Sequence, residues 1–329
     1  MKNASMTLLA FGLLGGALSV LGGQGPSLSP PGSGPSRNND DAQLTEINEL
    51  VDSGDLAAAR QKLAETIAAR GENDQTLYLE ARILFREKKH RESLKVLERC
   101  IALDHRDPEV YKLVAFNAIR LNRMDIAEQA LKSAADLAPG DYLVFFHLGA
   151  LYYMDSRFPS AQPPLEKSVD LNPNYVPSRL FLALTQEELG QEKAAVDNYL
   201  RAIELAERFG IPGEQPYHYL GRLLYRQNKL DESLPYLQKA VKANSRSCEA
   251  LCLLSRVYSS LGRDSDTVDA LKQCLAADAN FPEAHYLLSR AYARQGRTDE
   301  AAKELSLFQK LKQTEQNRND PRRNQRAIR

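Results

Sequence analysis

Apolar residues recur along the chain at helical spacing, in short runs that polar breaks separate. The stretch from Tyr142 to Tyr153 is almost wholly apolar, Asp155-Ser156-Arg157 interrupts it, and a second periodic run from Ala161 to Leu171 stops at Asn172-Pro173. Spacing of three and four residues predicts helices. Proline disfavours helical backbone in the residue before it, so Asn-Pro is a natural terminator. The unit is helix, turn, helix, and it recurs. Ala59, Ser93, Ala127, Ala161, Ala195, Ser233, Thr267 and Ala301 follow one another at 34 residues, except for one step of 38 between Ala195 and Ser233. Four residues beyond each mark stand Leu63, Leu97, Leu131, Leu165, Tyr199, Leu237, Leu271 and Leu305. A fixed period of this length marks a solenoid, because one helix pair cannot bury its own apolar stripe and must stack on its neighbours.

The small residues have a packing reason. Gly149, Ala183 and Gly221 in first helices face Ala161, Ala195 and Ser233 in second helices, and helix axes about 8–10 Å apart leave no room there for larger side chains. Glycine inside a helix costs about 0.8–1 kcal/mol against alanine, so its use points to a steric need. Pro163, Pro164 and Pro235 lie inside second helices, which are therefore expected to start close before them or to kink.

These units resemble tetratricopeptide repeats. In the unit that starts at Tyr142, Phe145, Leu148-Gly149, Tyr152, Ala161, Leu165, Ser168 and Pro173 fill the family's aromatic, Leu-Gly, Tyr, Ala, apolar, small and Pro positions. The unit starting at Pro108 supplies Tyr111, Val114-Ala115, Ala127, Leu131, Ala134 and Pro139, and the one starting at Pro282 supplies Leu288-Ser289, Tyr292, Ala301 and Leu305. The resemblance covers residues 42–312 and implies an all-α fold, a right-handed α-solenoid of about eight helix–turn–helix repeats. The first unit departs from the pattern, with Ile47 at a position that is small elsewhere, as suits a capping repeat. The fifth is lengthened through Arg208-Phe-Gly-Ile-Pro-Gly-Glu.

The ends differ in composition from the array. Residues 1–23 open with one lysine and run through a long apolar stretch to small residues, the pattern of a secretory signal peptide. The stretch is also long enough for an uncleaved N-terminal membrane anchor. Residues 24–41 are rich in Gly, Pro and Ser and read as a flexible linker. Lys310 to Arg329 holds seven Lys or Arg against Glu315 and Asp320, while the whole chain carries no net charge. Residues 313–329 form a basic tail without aromatics for base stacking, so nucleic acid is not expected as a partner.

Candidate chemistry is sparse. The histidines (His90, His105, His147, His218 and His285) are scattered, and no metalloprotease, nucleophile-elbow or phosphate-loop motif is present. Neither a catalytic residue, nor a metal site, nor a cofactor is expected, and the chain reads as a non-enzyme. Asp231 and Asp299 open second helices as caps or dipole partners. Cys100 and Cys274 occupy a small-residue position where cysteine serves as a small apolar side chain. Cys248 and Cys274 stand at helix ends that meet, so a disulfide between them is geometrically open.

The resemblance further implies that first helices line a concave groove. Two inward positions four residues apart hold arginine repeatedly: Arg82, Arg222, Arg256 and Arg290 at one, Arg86, Arg120, Arg226 and Arg294 at the other. The expected partner-binding groove comprises Arg222, Arg226, Arg256, Arg290 and Arg294 as a basic ladder, with Tyr219, Tyr225 and Tyr286 beside it and Phe116, Phe146, Tyr153 and Phe181 as an aromatic cluster. Arginine recognises carboxylates bidentately and stacks on aromatics, so the partner would be a protein or an extended acidic or aromatic peptide. The competing reading pairs these arginines with Glu187, Glu249 or Glu283 on neighbouring helices. The family's known clamp for a C-terminal carboxylate is absent from the last three units, where His218, Leu253, Glu283 and Leu287 stand. The expected function is a non-catalytic interaction scaffold, exported (periplasmic or secreted) or membrane-anchored in the bacterial envelope. A structural self-association module is the alternative.

Overall fold

The computed structural model describes residues 37–103 and 106–318, with side chains described from residue 42 to residue 317. The described residues form sixteen α-helices, joined by turns and short loops. They are α1 (Arg37–Ser53), α2 (Leu56–Arg70), α3 (Asp74–Arg86), α4 (His90–Ala102), α5 (Pro108–Arg120), α6 (Met124–Leu137), α7 (Tyr142–Met154), α8 (Phe158–Leu171), α9 (Val176–Glu188), α10 (Glu192–Phe209), α11 (Gln215–Arg226), α12 (Leu230–Ala243), α13 (Cys248–Ser260), α14 (Asp264–Ala277), α15 (Pro282–Arg294) and α16 (Thr298–Arg318). Every mark of the small-residue ruler falls in a second helix, from Ala59 in α2 to Ala301 in α16. The repeat register is therefore the one that the spacing predicts. Helix α1 starts at Arg37, inside the stretch that composition marks as linker, and α16 runs to Arg318, inside the basic tail. The signal-like segment 1–23 lies outside the described residues.

Each first helix ends in the same way. Gly54, Lys88, Asn122, Ser156, Gly190, Asn228, Gly262 and Gly296 all have positive φ, and they follow the 34-residue ruler with its single 38-residue step. The residue after each of Lys88, Asn122, Ser156 and Asn228 donates its N–H to a carbonyl five residues back, as Arg157 does to Tyr152 at 2.8 Å. This is the Schellman closure, which needs one left-handed residue. A side chain with a Cβ pays about 1–2 kcal/mol to sit there. Ser156→Gly should therefore raise stability by about 0.5–1 kcal/mol, after allowance for the larger entropy of an unfolded glycine; thermal unfolding against the same change at exposed, helical Ser306 checks it.

Two sequence expectations are corrected locally. Pro163, Pro164 and Pro235 lie in the second turns of α8 and α12, which start at Phe158 and Leu230. Asp231 and Asp299 sit within first turns, and the α12 cap itself is Lys229, so their role is with the helix dipole. Side-chain caps come instead from Asp55, Asn73, Asp107, Asp141 and Ser247.

Contacts divide the chain into two compact units, the division falling between Thr185 and Gln186 within α9. In the first, α1–α8 pack pairwise around Leu63, Leu97, Leu131 and Leu165, all buried. His147 is buried among aromatic rings, edge-on to Phe116 at 4.9 Å and beside Phe146 at 5.2 Å. Its Nδ1 has no hydrogen-bond partner. Burial, and secondarily the charge of Lys112 against a smaller opposing effect of Asp141, pushes its pKa down to about 3. The folded state thus holds His147 neutral while the unfolded chain protonates near pH 6.5, so stability is lost as pH falls from that value toward 3. At pH 5 the loss from this residue is about 2 kcal/mol. His147→Leu should lose that much less between pH 7 and pH 5 in denaturant titrations.

In the second unit, α11–α16 pack around Leu237, Leu251, Leu271 and Leu288. Cys248 at the start of α13 and Cys274 near the end of α14 form a disulfide with Cα atoms 4.8 Å apart. Cys100 and Cys252 are buried and unbridged.

Candidate functional site

The first unit holds a cleft of about 300 Å³ walled by α1, α3 and α5. Its apolar wall is Tyr78, Phe85, Leu113 and Phe116, and its charged wall is Arg82, Arg86, Lys88, Lys112 and Arg120 against Asp52 and Glu109. Helix spacing builds it: Tyr78, Arg82, Phe85 and Arg86 lie three and four residues apart on α3, and Lys112, Phe116 and Arg120 do so on α5.

The cations are anchored from below. Arg82 reaches Asp52 at 2.6 Å and also Asn48, both on α1. The Arg86 guanidinium donates to the carbonyls of Val51 and Asp52 at 3.0–3.2 Å, placing a cation on the negative end of α1. Buried Lys112 pairs with Asp141 at 3.0 Å and with Glu109. His90 contacts the Asn117 amide oxygen at 3.1 Å and stands edge-on to Phe85. Lys88 and Arg120 are exposed at the rim. The lining carries five Lys and Arg against two carboxylates, so the cleft favours an anion that also presents an apolar side chain.

The predicted ladder in the second unit has a different character. Glu187 has a side chain only 2% exposed. It accepts from Tyr199 Oη at 2.9 Å, from Arg222 Nη2 at 3.0 and 3.1 Å, and from Arg226 Nη1 at 2.6 Å. Arg222 also lies over the Tyr219 ring at 5.0 Å, and Tyr219 stacks on Tyr199. Arg256 pairs with Glu283 and Arg294 with Asp264, both at 2.7 Å and both on the surface. Arg290 lies 5.9 Å from the centre of the Tyr286 ring. Four of the five ladder arginines thus already hold a carboxylate, each supplied by an adjacent repeat.

The aromatic cluster is corrected as well. Phe116, Phe146, Tyr153, Phe181 and Tyr219 are buried rather than displayed. Phe146 and Tyr153 meet Phe181 edge-on at 5.4 and 5.6 Å, because first helices of successive repeats stack closely enough for rings on one to fill the gap to the next. Tyr225 is half-buried, and Tyr286 is exposed.

Family models of the tetratricopeptide repeat match residues 50–115, 176–209, 217–250 and 265–317. The chain is a tetratricopeptide repeat protein. Among curated proteins this repeat protein is 25% identical over 205 residues to the anaphase-promoting complex subunit CDC16 of Saccharomyces cerevisiae, covering 60% of this chain and 22% of that one. It is 24% identical over 182 residues to the peroxisomal targeting signal receptor of Candida glabrata, covering 54% and 29%. The chain spans 11–29% of the length of the curated relatives it matches. Among solved structures, the APC/C hetero-tetramer Cut9-Hcn1 superposes with a TM-score of 0.53 at 13% identity, over 82% of this chain and 53% of that chain, a likeness of fold.

Within the repeat frame, the residues of the first-unit cleft were partly legible. Arg82, Arg86 and Arg120 obey the same four-residue spacing as the ladder, and Phe116 belongs to the predicted site. Lys112 and the enclosure were not, since neither follows from spacing: enclosure depends on how far α1 sits from α5.

Proposed function

We propose that this chain is a non-catalytic scaffold that seats an extended, acidic segment of a partner protein in the cleft between α1, α3 and α5. The observation that carries this is the cleft itself, where rings and guanidiniums converge on one enclosed volume. Tetratricopeptide repeats are protein-interaction modules, and the relatives named as a complex subunit and as a targeting signal receptor support the same reading. A carboxylate arriving beside Lys88 and Arg120 gains charge-assisted bonds of about 1.5–3 kcal/mol each where they are desolvated, and less at the rim. The second-unit ladder of Arg222, Arg226, Arg256, Arg290 and Arg294 is the lesser seat, because two of its arginines close on Glu187, whose side chain is only 2% exposed and would have to be displaced from a buried position.

Export, or anchoring at the N-terminus, in the bacterial envelope belongs to this proposal. It rests on the composition of residues 1–23, and the Cys248–Cys274 disulfide suits an oxidising compartment. N-terminal sequencing of native protein tests it; an intact Met1 in the cytosol overturns it.

For the binding reading, the full chain is used as bait and its captured partner is identified. Lys88→Glu with Arg120→Glu should weaken capture at least about tenfold and reduce its salt sensitivity. Arg256→Glu with Arg290→Glu should leave capture largely intact. The opposite pattern moves the seat to the second unit.

A further inference from the structure

Arg86, Arg226 and Arg294 end α3, α11 and α15 at one position of the repeat. Arg226 closes on Glu187, and Arg294 on Asp264. Arg86 holds no carboxylate among the described residues: its Nε and Nη2 donate only to the carbonyls of Val51 and Asp52, at 3.0–3.2 Å. The sequence supplies the reason. Arg294 donates to a carbonyl 35 residues back, that of Ser259, and finds its carboxylate 30 residues back in Asp264, the first residue of α14. Arg86 likewise reaches the carbonyl 35 residues back, that of Val51, but the place of Asp264 is taken by Leu56, the first residue of α2. The backbone contact is repeated and the acid is not.

The consequence is a guanidinium fixed in place with one nitrogen to spare. Three hydrogen bonds hold Arg86 against the end of α1, so it has little freedom left to lose when an anion arrives. Nη1 makes none of them. Arg86 lines the cleft together with Tyr78 and Phe85 of its own helix. The carboxylates of the cleft are engaged elsewhere, Asp52 by Arg82 and Glu109 by Lys112. An entering anion therefore meets in Arg86 a cation that it need not take from an acid. The volume of about 300 Å³ is at the small end for ligand pockets, so it suits one or two side chains. Its rings, Tyr78, Phe85 and Phe116, offer faces and edges to another ring.

Given that the cleft is the seat proposed above, we propose that Arg86 is its anion-binding residue, and that it takes an Asp or Glu carboxylate carried next to an aromatic side chain on the partner segment.

Calorimetric titration of the full chain with an acetylated and amidated peptide, Ala-Glu-Phe-Glu-Ala, up to about 5 mM tests it. The blocked ends leave only side-chain carboxylates. Wild type should bind this peptide, and should bind it at least about tenfold more weakly when Gln replaces both Glu or Ala replaces Phe. Arg86→Gln should lose at least about tenfold. Leu56→Asp restores the acid that repeat spacing puts within reach of Arg86, and alters no residue of the cleft lining. It should lose as much by engaging Arg86 from within the chain, whereas Leu56→Asn should bind as wild type does. Circular dichroism checks that each variant is folded. Wild-type binding by Arg86→Gln or by Leu56→Asp overturns the assignment. So does a Leu56→Asn chain that is as weak as Leu56→Asp, a Gln peptide that binds as well as the Glu peptide, or a wild type that binds neither. Lys88→Glu with Arg120→Glu separates the two levels. If that chain loses the peptide and Arg86→Gln does not, the cleft stands and Arg86 falls; if neither loses it, both fall.

Discussion

Glu187→Leu should destabilise the second unit by about 3–5 kcal/mol, the usual cost of removing one member of a buried ion cluster. The carboxylate is only 2% exposed and stands where Tyr199, Arg222 and Arg226 converge. Its removal strands the Arg222 guanidinium, while Arg226, with a side chain 52% exposed, turns to solvent. Arg222 already has a buried Nε without a partner, so it would retain only the face of Tyr219 as a favourable neighbour. Leu supplies apolar volume but accepts no hydrogen bond, and the Tyr199 hydroxyl loses its acceptor too. Urea unfolding followed by circular dichroism measures the loss. Glu283→Leu at the exposed Arg256 pair is the control, expected to change stability by less than about 1 kcal/mol. Adding Arg222→Leu to Glu187→Leu should restore part of the loss, because the stranded charge is then gone. A change below about 1 kcal/mol for Glu187→Leu would show that the cluster is solvated rather than structural.

The same glutamate shows where sequence reasoning reached and where it stopped. Period and small residues placed all eight helix pairs, because a 34-residue repeat constrains the backbone at every unit in the same way. The left-handed turn residues keep that ruler through Asn122 and Asn228, a residue type that tolerates this backbone, and even where they are Lys88 or Ser156, which composition alone does not mark as turn formers of that kind. The faces of the first helices were legible too: the arginines at four-residue spacing do share one side of each helix. What spacing cannot encode is the distance from one face to the next. That distance decides whether Phe146 and Phe181 greet solvent or each other, and they meet edge-on. It also decides whether Arg222 waits for a ligand or closes on Glu187, and both Glu187 and Glu283 prove to be the partners that the competing reading named. The enclosure around Tyr78 and Phe116 was hidden for the same reason. Its floor includes Val51 and Asp52 of α1, in the repeat that matches the family pattern least.

Gly149→Leu should cost the first unit about 3 kcal/mol or more, at the upper end for overfilling a packed core. A Cβ added at Gly149 would lie 2.4 Å from Leu165 Cγ, 2.8 Å from Leu165 Cδ2 and 3.2 Å from the Ala161 carbonyl oxygen. The nearest atom is the branch point of a fully buried leucine, not a free side-chain end, so relief requires α7 and α8 to move apart. Alanine at the same position sets two effects against each other. It gains about 0.8–1 kcal/mol of helix propensity but meets the same 2.4 Å overlap, and a net loss is expected. Gly221 repeats the arrangement, with a Cβ 2.7 Å from Leu237 Cγ. Thermal unfolding of Gly149→Leu, with and without Leu165→Ala, distinguishes overfilling from a general intolerance of substitution. If volume is the cause, the double variant recovers a large share of the loss, since the smaller side chain at 165 vacates the space that the new leucine enters. Strictly additive losses would mean that Gly149 is required for some reason other than its closeness to Leu165.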